Sequence, residues 1–366
     1  MNPRLAVLGT IVQLELRQRI RSVSWVVLVS VVFVLVGAVT VLLWFALPAF
    51  GGDDAASAGT YSALIFFVLL VGSLVTPATS GAAINGDRDA GTLATTQVTL
   101  VTTTQLVLGK FLAAWTVALT FLAAALPAML FTVVTGNVRP DTLAASLAVL
   151  VLLLGVVAAV GVGASALITR PLFSVVTTYL VVAALSVGTL IAFGLGSLAA
   201  QTTVSYTYTP IDYTASEIDP ETGEYTTIVC GEAMEQTFEV PRTDAVWGFL
   251  AANPYVVLAD ASPPVWDRYG NPVDLFGTIA FGIRAAQQPP EPPEDYDECA
   301  DARSGFTGQS FSPDDYESPR EVYERSVPSW FVGLAIHLVL GASMLAAAIA
   351  RTRTPAATLP RGSRVA

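Results

Sequence analysis

Apolar residues in this chain gather into long blocks broken by short charged stretches. Six blocks reach the roughly 20 residues that a helix needs to cross a hydrocarbon core. They are 25–47, 61–84, 111–134, 143–168, 172–198 and 329–350. The fifth is long enough to tilt or to run past the core. Ahead of the first block, residues 1–24 show helical spacing. At 100° per residue Leu5, Leu8, Val12, Leu16 and Ile20 share one face, and Thr10, Gln13, Arg17 and Arg21 the other. Glu15 and Arg19 intrude on the apolar edge. The pattern predicts an interfacial amphipathic helix, suited to anionic lipid or to a partner protein.

Two connections are longer than a simple reversal. In the first, 85–110, Asp87 and Asp89 suit the first turn of a short helix, where the helix dipole favours negative charge. Thr102 to Thr104 offer a cap for the helix that follows. The second, 199–328, opens with strand-like alternation at Val204, Tyr206 and Tyr208. Residues 225–229 and 236–240 suit further strands, 244–252 and 275–286 suit helices, and 219–223 marks a turn. The Pro-rich acidic run 289–298 predicts an extended, solvated loop. The expected fold is an all-α polytopic membrane protein with six transmembrane helices in 25–198 and 329–350. An amphipathic helix precedes them, a small α+β domain lies between helices five and six, and a tail follows at 351–366.

Charge then orients the chain. Of 29 acidic residues, 23 fall in 199–328, against only 6 of the 18 basic ones. Elsewhere the balance is mildly basic. Arg4, Arg17, Arg19, Arg21, Arg88, Lys110, Arg170 and the arginines of the tail lie on one side of the blocks. The loops 48–60 and 135–142 on the other side hold only Arg139. The excess of Lys and Arg marks the cytoplasmic side. Both termini are therefore expected inside and the acidic region outside, in the plasma membrane. Outside the cytoplasm disulfides persist, so Cys230 and Cys299, the only cysteines, are expected to pair. Closing about 70 residues would contribute roughly 4 kcal/mol in the chain-entropy model. Two buried free thiols are the alternative. The acidic face disfavours nucleic acid.

Scarcity limits the chemistry. The single lysine, Lys110, follows Gly109, but Thr104 and Phe111 stand where a Walker A loop needs Gly and Ser or Thr. No nucleotide is expected to bind this way, and no cofactor or metal is expected on this chain. The one histidine, His337, falls within the sixth block, where it is either an intramembrane polar site or a neutral imidazole bonded to a neighbouring helix. The acidic run Glu294, Asp295, Asp297 and Glu298 lacks the spacing of an EF-hand loop. Catalysis outside would have to rest on carboxylates such as Asp267 and Asp274. Thr76, Thr79, Thr177, Thr178 and Tyr179 could line a path or bond between helices.

Ile84, Asp87-Arg88-Asp89, Gly91-Thr92-Leu93 and then Leu106, Leu108, Gly109 and Lys110 follow a pattern, I-x-x-[ED]-R-[ED]-x-G-T-L and L-x-L-G-K, between blocks two and three. In this the chain resembles the permeases of ABC-2 type exporters. The segment at 253–260, N-P-Y-V-V-L-A-D, looks like a stretch of actinobacterial-type members. Ala94 departs from the acidic residue that many members carry after G-T-L, and the region 199–328 is larger than in minimal members. The resemblance implies two paired permease subunits, each docked on a cytoplasmic ATPase that binds ATP and Mg. Asp87, Arg88, Asp89, Gly91, Thr92 and Leu93, with Arg17 and Arg21 secondary, would couple the two. The cargo would be lipidic, peptide or drug-like. The alternative is a non-transporting sensory or binding subunit that acts through its outer region.

Overall fold

A computed structural model describes residues 3–91, 101–136, 138–218, 225–304 and 317–353, with side chains except those of 3–5 and 49–57. Among the described residues six helices are long and apolar enough to cross a membrane. They form a multi-pass bundle. α1 (Pro3–Ile20) precedes the first of them, α2 (Val23–Ala46). α3 (Pro48–Ser80) follows, then the short α4 (Asn85–Asp89), α5 (Thr103–Thr135) and α6 (Pro140–Leu167). The fifth crossing is composite: α7 (Pro171–Ala183), one π turn (Ala184–Gly188) and α8 (Thr189–Ala199). The sixth, numbered below as α14, is Trp330–Thr352.

The blocks are where the apolar pattern placed them, but their ends differ. Residues 48–60, expected as a loop, belong to α3, with Pro48 in its first turn, where a missing N–H costs nothing. α5 starts eight residues before its apolar block because Thr102 and Gln105 form a capping box. Small residues let the helices approach closely. A Cβ on Gly161 would collide with the Ser80 side chain, and one on Gly163 would lie 2.7 Å from Met344 Cβ.

The stretch between α8 and α14 begins with β1 (Gln201–Thr209), then β2 (Glu217–Ile218), β3 (Tyr225–Thr227) and β4 (Met234–Pro241). It continues through α9 (Thr243–Ala251), α10 (Pro254–Ala261) and α11 (Leu275–Ala285). β5 (Tyr296–Asp297), α12 (Glu298–Arg303) and α13 (Pro319–Arg325) complete it. β1 pairs antiparallel with β4, Gln201 opposite Pro241, and parallel with β5. Cys230 and Cys299 form a disulfide with Cα atoms 5.4 Å apart. Cys299 is buried beside Ile211 and Ala302.

This stretch does not stand wholly clear of the bundle. After β4 the chain doubles back along α8: the Arg242 amide donates to Ala200 O at 2.6 Å, and Val246 packs on Gly196. It turns at Asn253, whose Nδ2 donates to Ser186 O at 2.6 Å and to Thr189 Oγ1 at 2.9 Å. Ser186 lies fourteen residues below Ala200, roughly 20 Å along a helix. The tip of the α9–α10 hairpin therefore reaches the middle of the fifth crossing. α10 then returns with Val256 through Asp260 buried, and Val257, Leu258 and Ala259 share one core with α3, α5 and α6. Gly333 makes this fit possible, because a Cβ there would collide with the Ala251 carbonyl.

Candidate functional site

Three elements meet at the end of the bundle that holds α1 and the last turns of α14. Lys110, two turns into α5, is buried, and its Nζ lies 2.6 Å from Glu15 Oε1 on α1 and 2.6 Å from Asp87 Oδ2 on α4. A buried ammonium without partners would be costly, so the lysine fixes both carboxylates around itself. The preceding glycine matters too: a Cβ on Gly109 would lie 2.7 Å from Ile11 Cγ2, so only glycine lets α1 seat here. In the pair Gly109-Lys110 one residue admits α1 and the other anchors it. Arg19 adds a second tie, from Nη2 to Thr79 O on α3 at 2.9 Å. Burial pushes the Arg19 guanidinium below its ordinary range, and Glu15 partly offsets that.

The covered face of α1 is thus rotated from the expected one. Val7, Leu8, Ile11, Val12, Glu15, Leu16 and Arg19 are half-buried, whereas Ile20 is exposed. Glu15 and Arg19, which broke the amphipathic pattern, are the residues that hold the helix down. Next to the knot, Ser165 Oγ accepts from the Ile84 and Asn85 amides (2.8 and 3.1 Å) and donates to Asn85 Oδ1 at 3.0 Å. Asn85 Nδ2 closes the loop onto Ile168 O at 3.1 Å. The ends of the second and fourth crossings are therefore locked at the first residue of α4.

Of the residues expected to couple, Asp87 joins the knot. Arg88 is half-buried, Asp89 is exposed, and Gly91 is exposed with φ +70, which favours glycine. Arg17 and Arg21 are exposed on α1. Thr92 and Leu93, with the rest of 92–100, lie outside the described residues. Thr76, Thr79, Thr177 and Thr178 all donate to carbonyls of their own helices. Tyr179 does bond between helices, from its hydroxyl to Leu74 O at 2.6 Å, one turn before Pro77.

At the far end a second polar cluster ties the hairpin to the sixth crossing. Asp260 closes α10. Its Oδ2 accepts from the Ser329 amide (2.5 Å), Ser329 Oγ (2.9 Å) and the Trp330 amide (2.9 Å), capping α14. Its Oδ1 accepts from Arg284 Nε at 2.7 Å, with both side chains buried. Arg284 also donates to Tyr323 O at 3.0 Å and stacks 3.6 Å above the Tyr323 ring. No sequence pattern marked this pair; Asp260 was visible only as the last residue of the N-P-Y-V-V-L-A-D segment.

The carboxylates considered for outer chemistry are engaged locally. Asp267 Oδ1 accepts from the amides of Tyr269 and Asn271, and Asp274 caps α11 through Gly277. Burial pushes the Asp274 carboxyl up to about 6. Glu298 accepts from the hydroxyls of Tyr208 and Tyr213, which hold it below its usual range. The same contacts push both tyrosines up to about 12. Asp295 and Asp297 accept from the amides of Thr207 and Ala300. Among the described residues no cluster of His, Cys, Asp and Glu could hold a metal.

His337 is buried in α14, with Nδ1 2.8 Å from Gly333 O on its own helix rather than on a neighbour. Comparison with family models finds no match for the chain, and comparison with curated proteins finds none either.

Proposed function

We propose that this chain is the membrane-spanning permease subunit of an ABC-type exporter, working with a separate ATPase. The observation that carries the reading is the Lys110 knot. It joins α1, α4 and α5 by side chains, so a push on α1 or α4 reaches the third crossing directly. Arg17, Arg21 and Asp89 stand exposed around it and offer charges to a partner. On this reading the knot faces the cytoplasm of a plasma-membrane protein, in keeping with the arginine-rich connections. The disulfide and the sheet would then lie outside, where oxidation is favoured. A second permease copy or a related chain completes the transporter, and the ATPase supplies ATP and Mg chemistry.

The test is co-expression with a candidate ABC-type ATPase, followed by purification in mild detergent. The expected result is a stable complex whose ATPase activity differs from that of the ATPase alone. Arg88→Ala with Asp89→Ala should preserve expression and separate ATP hydrolysis from transport. A chain that purifies without any ATPase, in every nucleotide state, would sink the reading.

A further inference from the structure

Where the α9–α10 hairpin turns, the bundle lines a cavity of about 30 Å³. A space of that size holds one or two waters. Its walls are aliphatic except at Ser73 of α3, Ser186 of the π turn, Tyr255 of α10 and His337 of α14. His337 is only 3% exposed, and its Nδ1 meets the Gly333 carbonyl. A carbonyl only accepts, so Nδ1 bears the proton and Nε2 is left as an acceptor. Nε2 is buried and has no partner among the described residues. The serine hydrogens nearby are already committed. Ser73 Oγ donates to Leu70 O at 2.8 Å and Ser186 Oγ to Val182 O at 2.7 Å.

A buried acceptor with no partner among the described residues, on the wall of a space of this size, calls for a donor from outside the chain. We propose that the cavity is a water-binding site. The water donates one hydrogen to His337 Nε2 and the other to a serine oxygen, which keeps a free lone pair. It bridges the sixth crossing to α3 through Ser73 or to the π turn through Ser186. A π turn is a one-residue irregularity often found at functional positions in helices. A wholly apolar cavity would stay dry; the imidazole nitrogen and the hydroxyls supply the two to four polar partners that a buried water needs. The hydroxyl of a lipid or a small alcohol has the same donor chemistry, but the cavity volume favours water.

The single histidine makes the test direct. The full chain, with 15N-labelled histidine in lipid nanodiscs, has one imidazole to observe by solid-state NMR. The expected spectrum shows Nδ1 protonated, and Nε2 unprotonated with the shift of a hydrogen-bonded acceptor. Magnetisation should pass from water to Nε2 and vanish in D₂O. Val157, on the cavity wall, supplies the second arm. Val157→Leu adds a methylene to the space and should abolish the water transfer while helical content and elution volume stay unchanged. An Nε2 with the shift of a free acceptor and no transfer would mean a dry cavity and overturn the proposal. So would transfer from lipid protons that survives in D₂O, or water transfer undiminished in Val157→Leu.

Discussion

The bundle is tied at both ends by an ion pair around a buried cation, yet the two ties differ in kind. At the far end Arg284 and Asp260 are both buried, and every strong group finds a partner: an arginine, two amides and a hydroxyl on the carboxylate, a carbonyl and a ring on the guanidinium. At the end holding α1, Lys110 is buried but its carboxylates are not; the side chains of Glu15 and Asp87 are 21% and 35% exposed. Partners in contact with water can exchange a protein contact for solvation at modest cost, whereas buried ones cannot. The far tie thus acts as a fixed joint, and the near one as a joint that can open.

That contrast can be broken. Asp260→Ala leaves Arg284 charged and buried and uncaps α14, so a loss of about 3–5 kcal/mol is expected. It reads as a large drop in the thermal midpoint of the purified chain in detergent. A drop no larger than that of Lys110→Met would end the distinction.

The next effect is set by pH and is confined to the far end. The Asp274 carboxyl keeps its proton to about pH 6 in the fold, against 3.8 for an ordinary carboxyl. Between those values the folded chain binds more protons than the unfolded one. The contribution of Asp274 to stability is therefore greatest below about pH 4, falls by up to about 3 kcal/mol as pH rises to 6, and is flat above. Asp274→Asn keeps a capping oxygen, so the variant should gain thermal midpoint relative to the parent chain as pH rises from 4 to 6. A difference that does not change with pH would refute the assignment.

At the near end Lys110→Met strands two partly solvated carboxylates, and about 1–2 kcal/mol is expected. Proteolysis of α1 should accelerate in that variant, while cleavage in the hairpin should not. The smallest effect belongs to Glu15→Gln or Asp87→Asn taken singly. Each leaves Lys110 one carboxylate and should cost less than about 1 kcal/mol, with the difference shrinking in high salt. A single substitution as damaging as Asp260→Ala would show that the near joint does not open.

What could be read beforehand follows from the range of the interactions. A crossing is encoded in twenty consecutive residues, so the six apolar blocks were plain. The Thr102–Gln105 cap was half visible because it is local. The knot was not, since Glu15 and Lys110 are 95 residues apart and meet only when α1 folds onto α5. Glu15 and Arg19 stood out only as flaws in a pattern. α10 was missed as a helix because a short apolar run between Asn-Pro and Asp has no periodicity to separate helix from strand. The π turn, A-L-S-V-G, reads as ordinary helix until Asn253 arrives from 67 residues away to take the Ser186 carbonyl.

The buried lysine has one more consequence. Because Lys110 is the only lysine and its ammonium is enclosed, the folded chain shows no side-chain amine to an aqueous acylating reagent. Acylation at residue 110, followed in time by mass spectrometry, would therefore serve as a clock for how often α1 and α4 let go of α5. No label would need to be engineered, because the native sequence has left a single side-chain amine, at the joint whose opening is to be timed.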